Sequence, residues 1–199
     1  MISLKITAPF ATFTDSYSRE YAASYSYPPP ATIYGLLLAL VGETNKTQHL
    51  GVKIAIGLLS IPKSCTVIRT FKRRKQNDIN HKENTKPENQ EILCGLKLVV
   101  CVDSDAEKNN LENRILQALE SPETINRFGG LSLGESRDLL DELDIIDKIP
   151  KSVQWLVKNY QGEIVLPTWV DYLGSENTRW QTFSLGNFSD EVFCQINGC

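Results

Sequence analysis

The sequence predicts an α+β chain of ferredoxin-like (RRM-like) type: a four-stranded antiparallel sheet with two helices on one face, a basic insertion, and a β-rich C-terminal extension. Three observations predict it. Short segments alternate apolar and polar residues with period two, beginning with Ile2, Leu4 and Ile6. Two segments carry helical patterning instead, and they interrupt the strands in the order strand, helix, strand, strand, helix, strand. The chain has 199 residues, 41% hydrophobic and 23% charged, enough to bury a core without disulfides.

Ile2, Leu4 and Ile6 alternate with Ser3, Lys5 and Thr7 as a first strand with one buried face. An aromatic loop, Phe10 to Tyr27, follows and ends at Pro28-Pro29-Pro30. Proline suits the entry to a helix, so Thr32 to Val41, apolar almost all round, is expected as a short buried helix. Val52, Ile54, Ile56 and Leu58 then alternate with Lys53, Ala55 and Gly57 as a second strand.

Phe71 to Glu91 breaks the pattern. It is crowded with Lys, Arg, Asn, Gln and Glu, and on composition it is expected not to order by itself. Ile92 to Val102 is nearly continuous in apolar residues, as a central strand requires. Ser104 with Glu107 forms a capping-box pattern that predicts the second helix, with Leu111, Ile115, Ala118 and Leu119 on one face. The glycine loop Phe128 to Gly134 leads into a fourth strand expected over Leu139 to Ile146. Residues 1–149 are thus read as one domain, with an insertion at about 71–91, and 150–199 as an extension of short strands.

Composition excludes several classes. The longest apolar stretch, Ile33 to Val41, is too short to span a bilayer, and the N-terminus lacks a signal-peptide apolar block. No membrane association is expected. Cys65, Cys94, Cys101, Cys194 and Cys199 include no C-x-x-C pair, so reduced thiols in the cytoplasm are expected, with no metal and no cofactor. No G-x-S-x-G elbow is present, and no cysteine shares an evident basic pocket with a histidine. Net charge is −3, yet Lys63 to Lys86 holds eight Lys or Arg and two acids, a balance of +6, while Asp103 to Asp147 carries −8. That asymmetry predicts one surface for a polyanion and another for solvent or protein.

Three constellations carry the functional reading. Tyr17-Ser18-Arg19-Glu20-Tyr21, followed by Tyr25 and Tyr27, interleaves arginine with aromatics, which suits a single RNA strand. The tyrosines taken singly are equally suited to packing the loop onto the domain. Lys72-Arg73-Arg74-Lys75, preceded by Arg69, would supply phosphate contacts, the alternative being a solvated charge run. Gly129, Gly130, Ser132 and Gly134, with Arg137 just beyond, can bring backbone N–H groups close to a phosphate. Alone, this loop reads as a tight helix-to-strand connection. The central strand Leu96 to Cys101 lacks the stacking aromatics of an ordinary RNA-recognition motif, so loops are expected to do the binding.

Two stretches resemble a known family: Ser18-Arg19-Glu20-Tyr21-Ala22 leading to Pro28 through Leu37 and ending Gly42-Glu43, and Gly129-Gly130-Leu131-Ser132-Leu133-Gly134-Glu135-Ser136. Together they resemble family five of the CRISPR-associated proteins, also called CasD or DevS, over residues 1 to about 147; Leu166 to Val170 also has a family look. The resemblance implies a ferredoxin-like domain whose second-to-third strand connection projects as a thumb. It implies a non-catalytic subunit of a type I Cascade complex that caps the five-prime handle of crRNA. Its partners would be crRNA and the Cascade backbone and large subunits, with target DNA met indirectly through the complex. Arg19 and the glycine loop would contact the handle, and Lys72 to Lys75 would lie along it or the first spacer nucleotides. One branch of the family cuts precursor crRNA with tyrosine, histidine and lysine; here His49 is expected in a polar loop after the first helix and His81 within the thumb, neither a position that a rigid catalytic site favours, so an endoribonuclease is the alternative. A scaffold meeting only acidic protein surfaces is a third reading.

Overall fold

The computed structural model describes residues 1–15, 18, 21–72, 75–78, 80–172 and 176–198. β1 (Ile2–Ala11) leads through α1 (Pro30–Leu40) to β2 (Lys53–Ser60). β3 (Lys63–Lys72) and β4 (Thr85–Asp103) form a long hairpin, and α2 (Leu111–Glu120) joins β4 to β5 (Glu142–Ile145). β6 (Gln154–Lys158), β7 (Ile164–Trp169), β8 (Arg179–Gly186) and β9 (Cys194–Gln195) complete the chain.

All strand pairings in the sheet are antiparallel, in the order β5-β1-β4-β2-β6-β8-β7, with β3 on β4 and β9 on β2. The first four places, β5-β1-β4-β2, with α1 joining β1 to β2 and α2 joining β4 to β5, reproduce the predicted ferredoxin-like path. β1 alternates as predicted, with Leu4, Ile6 and Ala8 buried. β4 is buried on both faces where it runs central: Leu98 and Val100 join Ile33, Leu37, Leu111 and Ile115 in the main core, while Val99 and Cys101 pack with Ala55, Val153, Trp155 and Val192. The sheet face that an RNA-recognition motif leaves open is therefore covered.

Pro30 opens α1 without a side-chain cap, as a proline in the first turn allows, and the helix buries seven of its eleven residues. The buried Tyr34 packs on Trp169 with ring centroids 6.3 Å apart, and the Lys46 ammonium lies 4.3 Å above the Trp169 ring. This ties the C-terminal strands to the first helix.

Four expectations are corrected. The basic excursion at 71–91 is paired backbone at both ends, with β3 and β4 in register from Lys63–Cys94 to Lys72–Thr85. Ladder hydrogen bonds satisfy the backbone without apolar side chains, so composition misjudged the order of this ribbon. For the same reason β4 begins at Thr85 rather than Ile92.

The second helix begins at Leu111, after a left-handed Asn110 (φ 47°) whose side chain accepts from Asn113 N at 3.1 Å. Ser104 exchanges its bonds with Glu112 instead of Glu107: its Oγ accepts from Glu112 N at 3.2 Å, and its N–H donates to Glu112 Oε1 at 2.7 Å. Glu107 is drawn inward to His49. Finally, β5 is shorter than the predicted strand, because Leu139 bridges to Ser132 in the glycine loop.

Candidate nucleic-acid interface

The β3–β4 ribbon organises the candidate site. Consecutive residues of a strand project to opposite faces, and Gln90 and Glu91 do so at the root of the ribbon. Gln90, buried, donates from Nε2 to Glu135 Oε1 at 2.5 Å and accepts from Arg137 Nη2 at 2.7 Å. Arg137 also pairs with Glu135. Glu91 turns the other way, accepting from Ser24 N at 3.2 Å and from the Ser64 hydroxyl. The glycine loop and the aromatic loop are thus both fastened to the root of the basic ribbon.

The aromatic loop gains its form from a small ladder. Asp15 N donates to Ala23 O at 2.9 Å, Tyr25 N to Phe13 O at 2.8 Å, and Phe13 N to Ser24 Oγ at 3.0 Å. The descending strand then runs beside β4: Ala22 N donates to Asn89 O at 3.0 Å, and Ala22 O accepts from Glu91 N at 2.9 Å. Tyr21 reaches across, its hydroxyl 2.9 Å from Thr66 Oγ1. Tyr25 is half-buried, its ring edge-on to Trp180 at 6.4 Å and its hydroxyl donating to Asp15 Oδ1 at 3.1 Å. That placement is the packing role its residue type also allowed. Ser18 is half-buried, with its N–H on Asp15 O at 3.1 Å. Tyr17, Arg19, Arg73 and Arg74, and the side chain of Lys72, lie outside the described residues.

The outer end of the ribbon is ordered by one buried amide. Asn84 Oδ1 accepts from Lys75 N at 2.7 Å and Gln76 N at 2.8 Å, while Nδ2 donates to Gln76 O at 3.1 Å and Asp78 O at 2.6 Å. All four hydrogen-bonding positions of the amide are filled. This leaves Lys75 and Lys82 exposed at the tip. Arg69 is half-buried on β3, opposite Glu88, which pairs with Lys86 at 2.9 Å.

In the glycine loop, Gly134 has φ 99°, and a Cβ there would lie 2.2 Å from Thr12 O. Only glycine fits, and the loop packs directly on the end of the first strand. Gly129 (φ 80°) faces open space, beside a fully exposed Phe128. A Cβ on Gly130 would meet the flexible Leu139 side chain. Ser132 is half-buried and bridged to Leu139. Two buried oxygens beside this loop, Thr12 Oγ1 and Asp138 Oδ2, have no hydrogen-bond partner among the described residues.

The histidines occupy different settings. His49, expected in a polar loop, is fully buried: Nδ1 lies 2.9 Å from Glu107 Oε2, and Nε2 lies 2.8 Å from Arg114 Nη1. Arginine only donates, so Nε2 accepts and the ring proton sits on Nδ1, facing Glu107. The same Nη1 donates to Glu43 Oε2 at 2.7 Å. Burial raises the Tyr34 hydroxyl to about 12, so it keeps its proton at neutral pH. His81 stands exposed at the ribbon tip, its Nδ1 accepting from Glu83 N at 3.3 Å. An acidic group, Asp103, Asp105 and Glu112, is answered by Lys53 at 3.4 Å from Asp103 and by the Met1 ammonium at 2.7 Å from Glu112.

The predicted site residues alone did not show this convergence. Gln90, Glu91, Asn84 and Glu135 went unnoticed because nothing in their spacing separates a buried amide from a solvated one. The only available signal was the position of Gln90 and Glu91 at the junction of a polar run with an apolar strand.

Known proteins of one family resemble this chain in sequence and fold. Residues 1–185 match the family model described as CRISPR-associated protein (Cas_Cas5). The chain is 35% identical over 188 residues to CRISPR-associated protein Cas5 of Myxococcus xanthus, covering 91% of this chain and 88% of that protein. A solved structure titled as a CRISPR RNA-guided surveillance complex contains a chain that matches over 94% of this one and 89% of its own length, with a TM-score of 0.67 at 13% identity. A second, titled as the crystal structure of a Cas protein, matches over 100% of this chain and 98% of its own with a TM-score of 0.55 at 10% identity. These two likenesses concern the fold.

Proposed function

Because the chain belongs to the CRISPR-associated Cas5 family, we propose that it is a non-catalytic RNA-binding subunit of a type I Cascade complex, holding the five-prime handle of crRNA. The observation that carries this reading is the fastening of three elements at one place: aromatic loop, basic ribbon and glycine loop meet at Gln90 and Glu91. The Lys63 to Lys86 part of the ribbon, with a local balance of +6, attracts a sugar–phosphate chain without reading its sequence. Backbone beside Gly129 is open to a close approach. The covered sheet face leaves loops as the binding elements.

The burial of His49 favours binding over cleavage, since a general acid or base must reach its substrate. His81 lies on an exposed tip, where a catalytic geometry lacks the surrounding support that holds reacting groups in place.

The test mixes the purified chain with a labelled repeat-derived RNA, alone and with its backbone subunit. The expected result is intact RNA in a complex whose assembly depends on that RNA. Changing Lys72 to Lys75 to Ala weakens binding and lowers the slope of log K against log salt by about 0.7 per lost phosphate contact. Product bands lost in His81→Ala would overturn the non-catalytic reading. Assembly indifferent to RNA would return the chain to the class of protein scaffolds.

A further inference from the structure

The C-terminal strands line a surface cavity of ≈ 320 Å³ that is open to solvent, and none of its lining residues is among the RNA contacts discussed above. Among the described residues its wall includes Lys158, Arg179, Gln181, Cys194, Gln195 and Asn197, and no Asp or Glu side chain. That composition is unusual in a chain whose net charge is −3.

The local backbone explains why these side chains converge. Lys158 is the last residue of β6, opposite the buried Phe183, which anchors the strand end. β7 and β8 slip register between Pro167 and Trp169, and the Thr168 hydroxyl donates to Arg179 O at 3.3 Å across the irregularity. Such a bulge re-aims the side chains beside it, and Arg179 is the residue beside it here. β9 is held against β2 through the Ile54–Cys194 pair and brings Gln195 to the same wall.

Among the described residues, neither Lys158 nor Arg179 has an ion-pair partner. The guanidinium and the ammonium together offer eight N–H donors and two positive charges. The buried Cys194 thiol, raised to about 11 by burial, stays neutral and does not oppose an anion. Three side-chain amides complete the wall; Gln181 Nε2 already donates to Thr182 O at 3.2 Å and Gln195 Nε2 to Gly51 O at 3.4 Å, which leaves each of these two its second N–H and its oxygen, groups that match the edge of a nucleobase. The volume lies within the range of small-ligand sites.

We propose that this cavity holds one nucleotide, its phosphate between Lys158 and Arg179 and its base edge against Gln181, Gln195 and Asn197. The ligand chemistry is a phosphate monoester or diester carrying a base. The source is a segment of single-stranded RNA, a choice that rests on the function proposed above, while the cavity's affinity for a nucleotide does not.

The test measures acylation of Lys158 by an amine-reactive ester, read by mass spectrometry on the full chain. Three probes are compared: an eight-nucleotide single-stranded RNA, adenosine monophosphate, and inorganic phosphate. RNA is expected to slow Lys158 acylation at least about five-fold, adenosine monophosphate less, and phosphate least. In anisotropy titrations, Lys158→Gln and Arg179→Gln each weaken RNA binding about three- to ten-fold and lower the salt slope by about 0.7, as loss of one phosphate contact predicts. Arg179→Lys, which keeps the charge, retains most of the affinity and guards against a folding artefact.

RNA bound normally by both Gln variants, with Lys158 acylated at the same rate throughout, overturns the cavity and leaves the proposed function standing. Protection by adenosine monophosphate in a chain that binds no RNA keeps the cavity and overturns the proposed function. Protection by phosphate as strong as that by the nucleotide removes the base from the proposal and overturns it as a nucleotide site.

Discussion

Arg137 Nη2 donates to Gln90 Oε1 at 2.7 Å, joining the segment after the glycine loop to the root of the β3–β4 ribbon across 47 residues of sequence. Gln90 is 3% exposed, and its own Nε2 is committed to Glu135, so one buried amide holds both charged ends of the loop segment. Replacing it strips partners from two charged groups at once. Gln90→Ala is expected to cost about 1–3 kcal/mol. It also loosens residues 85–92 and 129–137 together in hydrogen exchange. Loosening of one segment without the other would mean that they are not coupled through this amide.

Gly134 and Gly129 both have positive φ, at 99° and 80°, yet a Cβ at Gly134 strikes backbone at Thr12 while one at Gly129 meets nothing. Gly129→Ala therefore carries only the conformational penalty, about 1–2 kcal/mol. Gly134→Ala adds a displacement of the loop from the first strand, with a total of about 3 kcal/mol or more. Urea unfolding of the two variants checks the ordering. Equal losses would show that the contact with Thr12 carries no weight.

The strands and helices were legible wherever apolar periodicity set them: β1, α1, β2 and the central half of β4 lie within a few residues of their predicted places. The ribbon was not, because Lys63 to Lys72 and Thr85 to Glu91 are ordered by ladder hydrogen bonds that any non-proline residue can make. The capping box at Ser104 misled because the Glu107 carboxylate turns to His49 and to the Leu111 N–H instead of back to Ser104, which pattern alone cannot see. Of the candidate site, the basic run and the glycine loop could be read from residue types. Their joining at Gln90 and Glu91 could not, since it depends on which face of a strand each residue takes.

Cys65 Sγ and Cys94 Sγ lie 3.2 Å apart on one face of the ribbon root, on the diagonal between rungs two apart in the ladder. The Cys94 thiol is raised by burial and then by Cys65 beside it. Oxidation by a diamide reagent is expected to join them, with two thiols lost as the diamide takes up two hydrogens. The reaction quickens as pH rises toward the thiolate range. Cys101 and Cys194, buried and raised in the same direction, stay reduced in the folded chain. Peptide mapping checks the pairing, and Cys65→Ser abolishes it. A bridge that forms only after unfolding would contradict the register of β3 on β4.

Glu43, Arg114, His49 and Glu107 form one hydrogen-bonded chain between the end of α1 and the first turns of α2. The Arg114 hydrogen bond, followed by the Asn45 N–H at 2.8 Å, holds the Glu43 carboxyl below its ordinary value. A carboxyl depressed in the folded state stabilises it above the unfolded value, near pH ~4.3, and that contribution is lost as pH falls through the folded value. The acid limb of the stability curve is therefore expected to flatten in Glu43→Gln, with variant and parent converging at the lowest pH. His49→Ala strips the buried Glu107 Oε2 of its partner, leaving only the Leu111 N–H on Oε1, and is expected to cost about 3 kcal/mol at neutral pH. Thermal unfolding across the pH range checks both. RNA binding by refolded His49→Ala at low temperature should match the parent, since the ring faces the core; a selective loss of binding at unchanged stability would place this histidine in the RNA site instead.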